Sequence, residues 1–150
     1  MNKCIMFLLT AVLFASCGRR AKMETLHMEP TIKKGGIFII KSVNINKLNR
    51  YDIIVADSPF PKQTKGLWVE RILGLPSEEL KITKGGVFIN NKKITPPSVL
   101  KHIYLENAKF LNISLGKDEY FVVGDNTANS RDSRFCGPIK RKSIVGKVDK

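Results

Sequence analysis

The chain has 150 residues, and 26 Lys and Arg against 13 Asp and Glu give it a formal net charge of +13. This length predicts one domain, large enough to bury a core without a disulfide or a metal, and the charge favours anionic partners. Because the sequence has no RNA-binding signature and no row of aromatic residues between basic ones, we predict no nucleic-acid partner and leave a solvated or a membrane-facing basic surface open.

The first element along the chain is an apolar run that begins at Cys4 and ends near Ala15. It is too short for a comfortable membrane span of about 20 residues, but it has the length of the apolar region of a secretory signal. It ends in Ala-Ser-Cys, which resembles the lipobox of bacterial lipoproteins. We therefore predict a lipoprotein-type signal peptide over residues 1–16 and lipidation at Cys17. An uncleaved short anchor and a plain secretory signal are the alternatives.

The next segment, residues 17–23, contains Arg19, Arg20 and Lys22. It is predicted to be a basic linker beside anionic lipid head groups, since basic residues near a membrane are attracted to them. Several acyl chains on the preceding cysteine would hold the protein stably on a membrane. The membrane is therefore one predicted partner.

From residue 32 onward the pattern predicts β-strands. Runs of β-branched and aromatic residues are separated by Gly, Pro and Asn, as in strands joined by turns; they are Ile37–Ile40, Tyr51–Ala56, Trp68–Leu73, Leu80–Thr83, Val87–Asn90, Tyr120–Val123 and Ile144–Val148. No long helical period and no internal repeat are found. The predicted fold is mainly β, with coiled antiparallel sheets or a partly open barrel and a small hairpin extension.

Four segments carry a resemblance to a known family. They read LHMEPT, YDIIV, VERILGLP and GDNTANSRDSR, and they occupy residues 26–31, 51–55, 69–76 and 124–134. In this order they resemble the motifs of the type I signal peptidase family, membrane-bound serine–lysine endopeptidases that process signal peptides of exported proteins. The resemblance covers roughly residues 24–148. It implies a signal peptidase I-like domain over 24–150, with a hairpin extension at about 80–117 in place of the family's long second domain.

The resemblance also implies which positions carry the chemistry. The family uses a serine nucleophile and a neutral lysine, whose amine must be deprotonated to act as the base. The serine position corresponds to His27 and the lysine position to Glu70. Both catalytic residues are therefore replaced, and no neighbour restores either of them.

Other family positions retain matching residues. Thr25 corresponds to a hydroxyl that helps the backbone bind the oxyanion, and Ser130 to a serine that hydrogen-bonds the lysine. The remaining matches are residues that brace the site or shape its turn: Asp132, Arg134, Asp125 and Asn126. The sequence leaves open whether Arg71 pairs with Glu70 or with Asp132.

Three functions remain open. The first is a non-cleaving homologue in which His27 and Glu70 form an ion pair and a cleft binds extended signal-peptide-like segments by strand addition. The second is an active endopeptidase in which His27 is the base for Ser130 or Thr25 and Glu70 orients the imidazole. The third is a structural or interaction lipoprotein.

No cofactor and no metal are predicted. His27 and Glu70 would supply two ligands, whereas a catalytic zinc needs three, and nothing in the sequence brings His102 near them.

The expected location is the outer face of the bacterial cytoplasmic membrane or the periplasmic side of the outer membrane.

Overall fold

The structure, a computed structural model, describes residues 18–60, 67–100, 103 and 110–149. The predicted signal peptide, Cys17 and His102 lie outside the described residues.

The described residues form eleven strands and one short helix. The strands are β1 (Arg19–Lys22), β2 (Ile37–Lys41), β3 (Ile53–Asp57), β4 (Leu67–Gly74), β5 (Glu79–Thr83), β6 (Gly86–Ile89), β7 (Lys92–Ile94), β8 (Phe110–Ser114), β9 (Glu119–Val123), β10 (Ile139–Lys140) and β11 (Ile144–Asp149). The helix is α1 (Ser133–Cys136). Single turns of 3₁₀ helix cover Ile45–Lys47, Ser98–Leu100, Thr127–Asn129 and Arg141–Ser143.

The strands form two antiparallel sheets. The larger sheet has the spatial order β1-β2-β11-β3-β4-β9-β10, and the smaller one has the order β7-β6-β5-β8. The mainly β fold with an open sheet is the predicted one. The predicted hairpin is β5–β6, and β7 and β8 widen it into a four-stranded sheet.

The larger sheet is covered on both faces in its centre, which explains why β3 and β4 are apolar almost without interruption. Ile54 and Ile72 lie in one core cluster together with Trp68. Val55 and Val69 point to the opposite face and pack in a second cluster. Strands buried on both faces lose the simple alternation of apolar and polar residues.

A third cluster joins the two sheets, because Leu80 and Ile82 of β5 pack with Phe121 and Val123 of β9. The smaller sheet thereby packs against the same strand that ends just before Gly124. The central strands of the larger sheet are therefore held by packing on both faces and against the smaller sheet.

The structure differs from the expectation at the basic segment predicted as a linker. Arg19–Lys22 forms β1 and pairs with Ile37–Ile40 of β2. Backbone hydrogen bonds to β2 hold this edge strand without an apolar sequence of its own, and charged residues are usual on strands at sheet edges. Strands β8 and β10 were likewise not predicted.

Candidate functional site

The turn that carries His27 is fixed by buried contacts on both sides. Met28 is fully buried, and its carbonyl accepts a hydrogen bond from Ile32 N at 2.9 Å. The Glu29–Pro30 peptide bond within the turn is cis. The carbonyl of His27 accepts from Asn126 N at 2.8 Å. The turn and the segment after β9 therefore hold the His27 backbone in place.

Both ring nitrogens of His27 are engaged. Nε2 lies 2.7 Å from the carbonyl oxygen of Val69, which can only accept, so Nε2 carries a proton. Nδ1 contacts the hydroxyl oxygen of Thr25, and in the neutral ring Nδ1 is the acceptor. The contact with Val69 O therefore excludes the neutral Nδ1–H tautomer, and in the neutral ring Thr25 donates to Nδ1.

Glu70, on β4, lies beside the imidazole of His27. It points to the same face as Ile72 and is fully buried. Its Oε1 lies 3.6 Å from His27 Nε2, and neither of its carboxyl oxygens has a hydrogen-bond partner among the described residues. A buried carboxylate without donors is strongly disfavoured, so the group is expected to keep its proton.

The electrostatics of the two groups agree with a neutral pair. Burial raises the pKa of Glu70 well above its ordinary value, and the negative charges of Asp132 and Asp125 raise it further, against the opposing effect of Arg134. Burial also lowers the pKa of His27, although the bond to Val69 and the two aspartates act in the other direction.

The His27–Glu70 contact expected from the sequence is present. The 3.6 Å separation is within the range of an ion pair, but the Nε2 proton is directed at Val69 O and burial disfavours both charges. Burial therefore favours the neutral form of each residue.

Arg71 pairs with neither of the acids considered from sequence. Its Nε donates to Asp125 Oδ1 at 2.6 Å and its Nη2 to Asp125 Oδ2 at 2.5 Å. A third nitrogen, Nη1, donates to the carbonyl of Tyr51 at 2.8 Å. Thr31 also donates its hydroxyl to Asp125. Asp125 thus links β4, the segment after β9 and the turn that follows His27.

Asp132 is a second buried acceptor beneath the site. It receives hydrogen bonds from Ser130 Oγ at 2.7 Å, from Arg134 Nε at 2.7 Å and from Gly124 N at 3.0 Å. It also caps the start of α1 by accepting from the Arg134 backbone. A side chain at Gly124 would have its Cβ 2.7 Å from the carbonyl oxygen of His27, so this glycine permits the close approach of the two segments.

An open groove of about 690 Å³ runs past these residues. Of the site residues predicted from sequence, Thr25, His27 and Glu70 line it, together with Trp68 and Val69. The other predicted residues line no part of it: Ser130, Asp132, Arg134, Asp125 and Asn126. The structure therefore separates a groove-facing set from a supporting set.

In the described ranges, no group of three or more His, Cys, Asp and Glu side chains could hold a metal ion. Within those same ranges, no helix has the length and apolar character needed to cross a membrane.

Sequence reasoning missed the carbonyl of Val69, which is the group that orients His27. Backbone acceptors have no residue-type signal, so only the pairing of β4 could reveal it. It also missed Thr31 as a partner of Asp125, although this threonine belongs to the same turn motif.

The buried carboxyl of Glu70 predicts a pH-dependent cost to folding. In the unfolded chain Glu70 ionises near its ordinary pKa of 4.5, whereas in the folded chain the pKa is higher. Folding stability is therefore highest below pH 4.5 with respect to this group and falls as pH rises toward the folded pKa. Glu70→Gln, which is not ionisable, should gain stability over the wild type as pH rises from 4 to 8.

Urea unfolding of both proteins at each pH measures this difference. Glu24→Gln is the matched control, because it removes a carboxylate from the exposed rim of the same groove. A wild-type to Glu70→Gln difference that stays constant with pH would contradict a protonated Glu70.

Comparisons with known proteins identify the family of this chain. The family model "Signal peptidase, peptidase S26" matches residues 2–150. Signal peptidase I V of Bacillus subtilis is 31% identical, with 85% of this chain and 81% of the relative covered. Signal peptidase I of Bacillus caldolyticus is 33% identical, with 85% and 75% covered.

Among solved structures, a signal peptidase I from Enterococcus faecalis V583 is similar at a TM-score of 0.57 and 26% identity. The match covers 69% of this chain and 97% of that one. The family model, the relatives and the fold therefore agree that this chain belongs to the type I signal peptidase family.

Proposed function

We propose that this chain is a non-cleaving member of the signal peptidase family that binds extended, signal-peptide-like segments of exported proteins. One observation carries the proposal: the imidazole of His27 lies 3.6 Å from the buried carboxyl group of Glu70 on β4. With His27 at the family's serine position and Glu70 at its lysine position, neither the nucleophile nor the amine base of the serine–lysine mechanism is present.

The groove supports the binding half of the proposal. Residues Leu67–Glu70 of β4 pair with β3 on one side, and β9 pairs with β4 only from Arg71 onward. Within the described ranges, the other edge of Leu67–Glu70 therefore faces the groove without a strand partner. A strand edge binds an extended peptide through backbone hydrogen bonds, which do not require the catalytic pair.

This proposal predicts binding without cleavage. The full chain, incubated with a signal-peptide substrate, should retain the peptide intact, whereas the double variant His27→Ser/Glu70→Lys should cleave it. Fluorescence anisotropy measures the binding, and mass spectrometry detects the products. Each single variant is the control, since one member of the pair alone should not cleave. Cleavage by the wild type that disappears in His27→Ala would contradict the proposal.

A second candidate function is an endopeptidase with a different nucleophile. Thr25 is exposed and its hydroxyl contacts Nδ1 of His27, while the carbonyl of Val69 orients the ring through Nε2. A hydroxyl, a base and a group that orients the base are the parts of an activated nucleophile. Ser130 is a weaker choice because its hydroxyl is bonded to Asp132 at 2.7 Å.

The second candidate predicts covalent labelling of Thr25. A fluorophosphonate probe should label the wild type and fail to label Thr25→Val, because the attacking oxygen is gone. Thr83→Val, in the smaller sheet, is the control and should leave labelling unchanged. If the wild type takes up no probe at any residue, the second candidate is excluded and the non-cleaving function stands alone.

We also propose that the chain sits on the exported side of a bacterial membrane, anchored through Cys17. One face of the larger sheet combines apolar and basic side chains: Ile37 and Ile39 are exposed on β2, opposite Lys22 and Arg20 of β1. Strand β1 is also the described element nearest in sequence to the predicted lipidation site. Exposed apolar and basic groups together suit an anionic membrane surface.

Vesicle sedimentation tests this placement. In a Cys17→Ser background, the chain should bind vesicles with phosphatidylglycerol more strongly than neutral ones, and Arg20→Glu/Lys22→Glu should weaken that binding. The control Lys81→Glu/Lys93→Glu makes the same charge change on the smaller sheet. Equal losses for both pairs would mean that net charge alone, and not this face, attracts the chain.

A further inference from the structure

The edge of β4 that faces the groove has a definite register. Ile72 exchanges hydrogen bonds with the chain before β3, donating to Asp52 O at 2.9 Å and accepting from Tyr51 N at 2.8 Å. In an antiparallel strand the N–H and C=O of one residue point to the same side, and this side alternates along the chain. Val69 therefore directs both backbone groups at the groove.

The imidazole of His27 occupies a backbone acceptor at this edge that a paired strand would otherwise use. The ladder between β4 and β9 begins at Arg71 and Val123, so the next edge position toward the groove belongs to Val69. There the acceptor is filled by His27 Nε2, 2.7 Å from Val69 O. A peptide that continues the ladder along β4 needs this same carbonyl.

Glu70 offers the displaced ring another acceptor. Its Oε1 is 3.6 Å from the same Nε2 atom, slightly beyond hydrogen-bond distance. Both carboxyl oxygens are buried and lack a hydrogen-bond partner among the described residues. Leaving a buried polar group unpaired costs free energy, so a ring movement toward Glu70 would remove a cost that the present arrangement carries.

We propose that His27 is a gate on the β4 edge with two positions, one on Val69 O and one on Glu70. A peptide backbone N–H takes Val69 O, and the imidazole N–H moves to the carboxyl of Glu70. The inference rests on the proposed peptide binding and names the atom that the peptide uses. His27 and Glu70 then determine peptide affinity without contributing to cleavage.

The test is peptide affinity measured on the full chain by fluorescence anisotropy, with a labelled signal-peptide sequence as the probe. His27→Ala removes the competitor for Val69 O and should tighten binding by roughly two- to tenfold, the range that one hydrogen bond supplies. Glu70→Leu removes the alternative acceptor and should weaken binding by a similar factor. In the double variant, the Glu70 change should have no effect, because no ring remains to be moved.

A second measurement changes the peptide and compares the wild type with His27→Ala. Peptides methylated at one backbone nitrogen at a time should lose affinity for the wild type at the position that meets Val69 O. The same methylation should also remove the advantage of His27→Ala. The control Glu24→Leu changes an exposed groove residue and should leave the effect of His27→Ala intact.

The outcomes separate the two proposals. Peptide binding by the wild type with no change in His27→Ala, or with equal effects of Glu70→Leu in both backgrounds, would overturn the gate and leave the binding function standing. Binding by His27→Ala alone would mean that the wild-type ring blocks the edge without moving to Glu70, and would overturn the two-position gate together with peptide binding by the wild type. Absence of binding by every variant would overturn the peptide-binding function and the gate with it.

Discussion

Arg71 and Asp125 form the contact on which the arrangement of the site depends. Two guanidinium nitrogens meet the two carboxyl oxygens, and both side chains are almost completely buried. The pair connects β4 to the segment after β9, and Thr31 connects the same carboxylate to the turn of His27. Removing one partner of such a buried pair costs about 3–5 kcal/mol, so this contact holds three distant segments in one geometry.

The second buried acid, Asp132, holds the loop after β9 in place through hydrogen bonds, as Asp125 holds the strands. It gathers donors from Ser130, Gly124 and Arg134, which satisfies a charge that could not otherwise be buried. Both aspartates also act at a distance on Glu70, whose pKa they raise. The supporting residues therefore shape the groove in two ways, through geometry and through their negative field.

Glu70 is the site residue whose carboxyl group lacks hydrogen-bond partners among the described residues. Its neighbours Asp125 and Asp132 each have several donors, whereas its own oxygens have none among the described residues. Desolvation favours the uncharged form of a buried carboxyl group, and burial raises the pKa of Glu70 well above its ordinary value.

The sequence by itself determined the mainly β fold and the family, because strand patterns and ordered motifs can be read directly from the chain. The roles of His27, Glu70 and the supporting acids stay predictions. The sequence did not determine β1, whose basic residues carry no strand signal and are held by pairing with β2. It also left the partner of Arg71 open and suggested a charged His27–Glu70 pair. Only the tertiary structure decided these points, since burial, the carbonyl of Val69 and the reach of Arg71 to Asp125 arise from segments far apart in sequence.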